Sequence, residues 1–275
     1  MYTFINSKSD LGILNQELLS KTHIGVDTEF RRTSKHNMKL ALLQINDGEE
    51  IYLIDTLSIP NPGDDCNFLF SNYVLKIFHS CKEDLEAVYS WTNRKMENIF
   101  DTQLADALLG NEFSISYQKL VENRLDIMLE KKETRSNWLK RPLSNDQLKY
   151  ASLDVEYLIY LYKELKSELF VSKKIDWLNE DIEQLIEITF PSDQEITVED
   201  RIISKTEEND LLLKFNEIVT AVAKKEKINV TLFFSKKNQR DFLRALISKG
   251  TESAFERITF WRRQLLQDKL LKLLG

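Results

Sequence analysis

The chain is poor in cysteine: Cys66 and Cys81 are the only two in 275 residues. Two thiols without a paired spacing exclude a disulfide framework and a cysteine-based zinc site, and they fit a reducing cytosol. Long apolar runs are missing too, since none reaches the roughly eighteen residues that a membrane-spanning helix needs. Met1-Tyr2-Thr3-Phe4-Ile5-Asn6-Ser7 lacks the basic start and apolar run of a signal peptide. A soluble, cytoplasmic protein is expected. There is no internal repeat and no low-complexity tract. An overall basic charge, the usual mark of nucleic-acid binding, is also absent: 38 Lys and Arg face 44 Asp and Glu, a net of -6.

That average conceals a division. Residues 206–275 hold 14 basic and 9 acidic side chains, a net of +5, while the remainder holds 24 basic and 35 acidic, a net of -11. The C-terminal end therefore carries charge that can track phosphates, and a clustered acidic site would add to the negative part. A chain of this length, 42% hydrophobic and 30% charged, has room for one large domain or a catalytic domain with a small one.

Helical spacing of Leu11, Leu14, Leu18 and Leu19 predicts a first helix over 9–20. Gly25-Val26-Asp27-Thr28-Glu29-Phe30 follows as a strand, in which alternation puts Asp27 and Glu29 on one face. Asn46-Asp47-Gly48 between the runs 39–46 and 50–55 predicts a hairpin, so the first three strands form an antiparallel meander. Beyond the loop at Pro60-Asn61-Pro62-Gly63-Asp64-Asp65 the pattern becomes strand, helix, strand, helix, with strands at 74–79 and 99–100. Ser80 and Glu83 have capping-box spacing, which places Asp84 in a first helical turn. Asp101 reads as the cap of a helix that stops at Gly110.

Residues 111–141 read as helical to about Leu129. Ser144 and Gln147 form a second capping box, opening a long helix to about Leu169 with Tyr150 and Asp154 on one face. Another helix is expected over 176–188. The predicted domains are residues 1–190, a linker over 191–205 and an all-helical module over 206–275. In that module Leu211, Leu212, Phe215, Ile218, Val219 and Val222 form an apolar stripe, and helices follow at 236–248 and 252–272.

An Asp-x-Glu pair alone is most simply a pair of solvated acids. Asp84 and Asp154, at the ends of neighbouring elements, change that reading, because an α/β sheet can bring the four carboxylates together. Phosphodiester hydrolysis by two divalent cations about 3.5–4 Å apart needs such a set of hard oxygen ligands. Asp27 would bridge both ions, Glu29 and Asp154 would complete the ion that activates water, and Asp84 would hold the ion at the leaving oxygen. Tyr150 would hold the attacking water by its hydroxyl.

Five segments then resemble the successive motifs of the ribonuclease D family, within the tyrosine subgroup of the DEDD exonucleases. They are Ile24-Gly25-Val26-Asp27-Thr28-Glu29-Phe30, His79-Ser80-Cys81-Lys82-Glu83-Asp84-Leu85-Glu86, Asp101-Thr102-Gln103, Arg135-Ser136-Asn137-Trp138-Leu139-Lys140-Arg141-Pro142-Leu143 and Tyr150-Ala151-Ser152-Leu153-Asp154-Val155-Glu156-Tyr157-Leu158. The resemblance covers about residues 1–190. It implies an α/β ribonuclease-H-like 3′-5′ exonuclease domain with a mixed sheet, two divalent metal ions (Mg²⁺ or Mn²⁺), and release of nucleoside 5′-monophosphates from RNA 3′ ends, typically tRNA precursors. It also marks Thr28, Phe30, His79, Arg135, Trp138 and Arg141 as candidate substrate contacts.

The C-terminal helices resemble, more weakly, the HRDC domain; the family commonly carries two such modules, and this chain has length for one. Lys35-His36-Asn37-Met38 departs from the aromatic residue and proline that relatives tend to have, and Asn137 stands where aspartate is frequent.

Simpler roles stand beside these. His79 is either a satisfied strand-end residue or a neighbour of the scissile phosphate. Arg135, Trp138 and Arg141 either pack a loop or grip RNA. Lys224-Lys225-Glu226-Lys227 and Lys236-Lys237 are either a solvated face or phosphate contacts. A monomeric exoribonuclease is expected; a DNA exonuclease with the same site and a catalytically silent RNA-binding protein are the alternatives.

Overall fold

A computed structural model describes residues 2–34, 37–129, 136–190 and 204–274. It divides into two compact units, residues 1–103 with 115–167 and residues 104–114 with 168–275. Most of the predicted linker lies outside the described residues. Residues 168–190, which the sequence reading assigns to the first domain, group by contact with the second unit.

The first unit is built on a six-stranded mixed sheet. Its strands are β1 (Thr3–Ile5), β2 (His23–Ser34), β3 (Asn37–Asn46), β4 (Ile51–Ile54), β5 (Leu75–Phe78) and β6 (Ile99–Asp101), in the order β1-β4-β3-β2-β5-β6. The predicted meander is present as antiparallel β2, β3 and β4. Its turn is held by the Asp47 carboxylate, which accepts from the amides of Glu49 and Glu50, with Gly48 at φ +95. β5 and β6 extend the sheet in parallel from β2. β1 pairs in parallel with β4 at the other edge, and three residues are too few to show an alternation in the sequence. Ile24, Val26, Leu42, Leu43, Ile45, Leu53 and Ile77 are fully buried along the sheet.

Helix α1 (Lys8–Leu18) starts at Ser7, whose hydroxyl accepts from the Asp10 amide. A 3-10 segment (Gly63–Leu69) leads to β5, and α2 (Lys82–Thr92) follows it. The predicted capping box at Ser80 and Glu83 does not form. Cys81 is the N-cap without a side-chain bond, and Ser80 has φ 66. Asp101 serves instead: its carboxylate accepts from the amides of Ser80 at 3.1 Å and Cys81 at 2.8 Å, and from Gln103 at 2.8 Å. One acid thus caps both α2 and the following α3 (Thr102–Leu108), a partnership between distant residues that local spacing cannot reveal.

Helix α4 (Tyr117–Leu125) ends earlier than predicted because Asp126 takes a left-handed conformation at its C-cap. The capping box at Ser144 and Gln147 opens α5 as expected. The long helix predicted to about Leu169 is two helices, α5 (Asn145–Glu156) and α6 (Leu158–Val171), broken at Tyr157. No proline or glycine marks the break. The hydroxyl of Tyr117 is inserted in the helical ladder: it accepts from the Tyr157 amide at 3.0 Å and donates to the Leu153 carbonyl at 3.2 Å. The Asn46 amide donates to the freed carbonyls of Val155 and Glu156.

In the second unit, α7 (Ile175–Thr189) packs on α11 (Phe260–Leu274), and α8 (Lys205–Glu226), α9 (Val230–Phe234) and α10 (Lys236–Phe255) complete an all-helical bundle. Phe215, Val219 and Val222 are buried, whereas Leu211, Leu212 and Ile218 of the predicted stripe are only half-buried. Gly250, at φ 84, interrupts α10 where two helices were predicted to divide. The buried carboxylate of Asp181 accepts from the Trp261 indole at 2.9 Å and from both terminal nitrogens of Arg262. Asp181→Ala is expected to destabilise this unit by about 3–5 kcal/mol, because it strands a buried guanidinium. An unchanged urea midpoint would show that the pair contributes little.

Candidate active site

The site begins with the alternation of β2. Val26 and Thr28 point to one face, and Asp27 and Glu29 to the other, opposite Gln44 and Leu42 of β3. Helix α5 packs over β2, β3 and β4 on the side of the two acids. Its Ala151 is small enough to sit in a buried cluster with Leu42 and Leu53, and Asp154 lies one turn further on. Gly25 permits the close approach of the helix break, because a Cβ there would stand 3.1 Å from Cβ of Leu158.

The result is a carboxylate cluster. Oxygen atoms of Asp27, Glu29 and Asp154 all lie within 4.8 Å of one another. Tyr150, one turn before Asp154, hydrogen-bonds its carboxylate. Asp84 approaches from the Thr28 side, buried in the first turn of α2, with its Oδ1 accepting from the Thr28 hydroxyl at 2.5 Å. A cavity of about 240 Å³ opens onto the three clustered acids, and His79, Tyr117, Gln118 and Leu158 add to its walls.

Burial and mutual repulsion govern the electrostatics. Burial, then the charge of Asp154, holds Asp27 well above the ordinary carboxylate range. Glu29 is pushed up to about 10 by burial and by Asp27, Asp154 and Asp84, against a hydrogen bond from Trp138. Asp154 rises to about 7 through burial, opposed by the Tyr150 hydrogen bond. Burial and then the Asp27 charge raise Asp84. Burial, followed by the charges of Asp154, Glu29 and Asp27, also raises the Tyr150 phenol, so it stays protonated at neutral pH. Three crowded hard oxygen donors suit a divalent cation, whose charge offsets the repulsion between them.

Of the other predicted contacts, Trp138 and His79 border this cluster. Trp138 is buried, hydrogen-bonds Glu29 and lies 6.2 Å from the Tyr150 ring. Trp138→Phe removes that donor and is expected to weaken Mn²⁺ binding about 10-fold; unchanged binding by calorimetry would reduce the indole to packing. The Arg141 guanidinium is engaged inside the unit, with Asp55 and with the carbonyls of Ala41, Trp138 and Lys140. His79 places Nε2 2.9 Å from the Ile115 carbonyl and Nδ1 2.9 Å from the Thr102 hydroxyl, while its ring still faces the cavity. Phe30 is half-buried just past a β-bulge that follows Glu29. Arg135 lies outside the described residues. Tyr117 and Gln118 were not singled out from the sequence, where Tyr117 reads only as one more helical apolar position.

The family model described as 3′-5′ exonuclease matches residues 2–170. Ribonuclease D of Shewanella sp. (strain ANA-3) is 34% identical over 187 residues, which is 68% of this chain and 48% of the relative. Ribonuclease D of Xanthomonas oryzae pv. oryzae is 42% identical over 166 residues, 59% of this chain and 45% of the relative. The chain thus spans about half the length of the curated relatives it matches. The crystal structure of Escherichia coli RNase D, an exoribonuclease involved in structured RNA processing, has the same fold, with a TM-score of 0.66 at 24% identity over 99% of this chain and 74% of that one. With its acid-bearing mixed sheet in the matched region, this chain belongs to the 3′-5′ exonuclease family and is homologous to ribonuclease D over about two thirds of its length.

Proposed function

We propose that this chain is a metal-dependent 3′-to-5′ exoribonuclease of the ribonuclease D type, acting on RNA 3′ ends such as those of tRNA precursors and releasing nucleoside 5′-monophosphates. The observation that carries this reading is the convergence of Asp27, Glu29 and Asp154 oxygens within 4.8 Å beside Tyr150. Two divalent ions, Mg²⁺ or Mn²⁺, would supply Lewis-acid activation of water and stabilisation of the leaving oxygen. Asp27 would be shared, Glu29 and Asp154 would hold the ion on the water side, and Asp84 would hold the ion on the leaving-group side. Tyr150, whose protonated hydroxyl donates to the Asp154 carboxylate, would orient the water through its oxygen rather than take its proton. His79 lines the cavity and borders the space for the terminal phosphate.

The second unit would dock the RNA backbone. Lys224, Lys225, Lys227, Lys236 and Lys237 are all exposed, and the net charge of residues 206–275 is positive. Among the described residues no helix is long and apolar enough to cross a membrane, and a cytoplasmic monomer is the setting we propose. The test is incubation with tRNA bearing a 3′ extension and, separately, with single-stranded DNA, each with Mg²⁺, Mn²⁺ or EDTA. Stepwise release of 5′-monophosphates from RNA, stopped by EDTA, is expected. Equal digestion of DNA would favour a DNA exonuclease, and binding without release a silent RNA-binding protein.

A further inference from the structure

The residue directly across the sheet from Asp27 is Gln44 of β3. Its side chain is fully buried, and among the described residues neither Nε2 nor Oε1 has a hydrogen-bond partner. Native proteins seldom leave both ends of a buried amide unsatisfied, and such exceptions call for a reason. The neighbours on this face of β3 sharpen the question. Two residues one way, Asn46 uses its amide on the carbonyls of Val155 and Glu156. Two residues the other way stands Leu42, opposite Glu29, and across β4 stands Leu53, opposite Gln44 itself. Gln44 is thus flanked by apolar side chains and by an amide already committed, with one acid facing it across the strand pair.

Directly opposed side chains of an antiparallel pair have Cβ atoms about 4.5–5.5 Å apart, within the reach of a glutamine amide. Methionine or leucine would fill the same space without an orphaned polar group. A local rule broken beside a functional acid is the expected mark of a role in the site.

We propose that Gln44 is a positioning residue for Asp27, its Nε2–H donating to the Asp27 carboxylate when that carboxylate engages a divalent ion, so that one oxygen is held and the other is presented to the cavity. A ligand of an ion is typically held in this way by a second, non-ligating group. The inference rests on the metal-dependent reading above and adds to it a residue outside the acid set.

The test compares the unsubstituted 275-residue chain with Gln44→Met, which keeps the length and removes the donor, and with Leu53→Met, a packing control on the other side of Gln44. Mn²⁺ binding is measured by calorimetry, RNA 3′-end hydrolysis by kcat and KM, and metal-free stability by thermal melting. Gln44→Met is expected to bind Mn²⁺ about 10- to 100-fold more weakly, to lose kcat with KM unchanged, and to melt no lower than wild type. Leu53→Met is expected to bind Mn²⁺ as wild type does. Wild-type Mn²⁺ affinity in Gln44→Met overturns the proposal, as does an equal loss in both variants or a lowered metal-free melting temperature in Gln44→Met alone. Failure of the wild type itself to bind Mn²⁺ would instead overturn the metal-dependent reading, and this proposal with it.

Discussion

Asp27→Asn is expected to abolish nucleotide release, lowering turnover by at least about 10³-fold, which corresponds to about 4 kcal/mol at 1.36 kcal/mol per decade. The amide is nearly the same shape as the acid but lacks the anionic oxygens that a hard divalent ion requires. Because the side chain is buried beside Asp154 and carries a raised pKa, losing its charge relieves repulsion in the metal-free chain. The fold is therefore expected to persist, and the melting temperature without metal to stay level or rise. Residual hydrolysis near the wild-type rate, in a preparation free of contaminating nuclease, would remove Asp27 from the mechanism and with it the proposed division of labour among the acids.

Metal affinity is expected to climb steeply with pH, by at least about 10-fold per pH unit between pH 6 and 8. Binding requires ionised carboxylates, whereas Asp154 titrates near 7 and Glu29 near 10 in the crowded site, so the ion must displace protons. The stability of the metal-free chain runs the opposite way. Both groups have folded pKa values above their unfolded ones, so their contribution is fully present below the ordinary carboxylate range. It is lost as pH rises, through about 7 for Asp154 and through about 10 for Glu29. Asp154→Asn should flatten the part of this decline that ends near pH 7 while weakening Mn²⁺ binding. Calorimetry in two buffers of different ionisation enthalpy counts the released protons; affinity independent of pH from 6 to 8, with no proton release, would contradict the shifted values.

The two acids of β2 illustrate how far pattern reading reaches. A period of two places Asp27 and Glu29 on one face whatever the rest of the fold does, and a capping box at Ser144 fixes the start of the helix that carries Asp154. Both signals are local, involving backbone within a few residues. Ser80 shows the opposite case. Its spacing to Glu83 satisfies the capping-box pattern, yet Asp101, twenty-one residues away in sequence, takes the Ser80 amide that Glu83 would have accepted from, together with that of Cys81. The broken helix at Tyr157 has the same origin, since the inserted hydroxyl belongs to Tyr117 on another element. Trp138, marked from the sequence as a substrate contact, hydrogen-bonds Glu29, and Arg141 is engaged by Asp55 and backbone carbonyls, partnerships that local spacing does not show.

By itself the sequence determined the type of most elements, the meander of β2, β3 and β4, the charge difference between the ends of the chain, and a set of acids that an α/β sheet can collect. These follow from periodicity, turn chemistry and composition, which act over a few residues or sum over many. Only the tertiary structure decided that Asp154 comes within 4.8 Å of Asp27 and Glu29, while Asp84 reaches the site from the Thr28 side. It alone decided that β1 closes one edge of the sheet, that α7 joins the second unit, and that Gln44, opposite Asp27, lies unpaired among the described residues. The physical reason is that register, burial and hydrogen-bond partners between distant segments arise when elements pack, and packing distances are not written in local spacing.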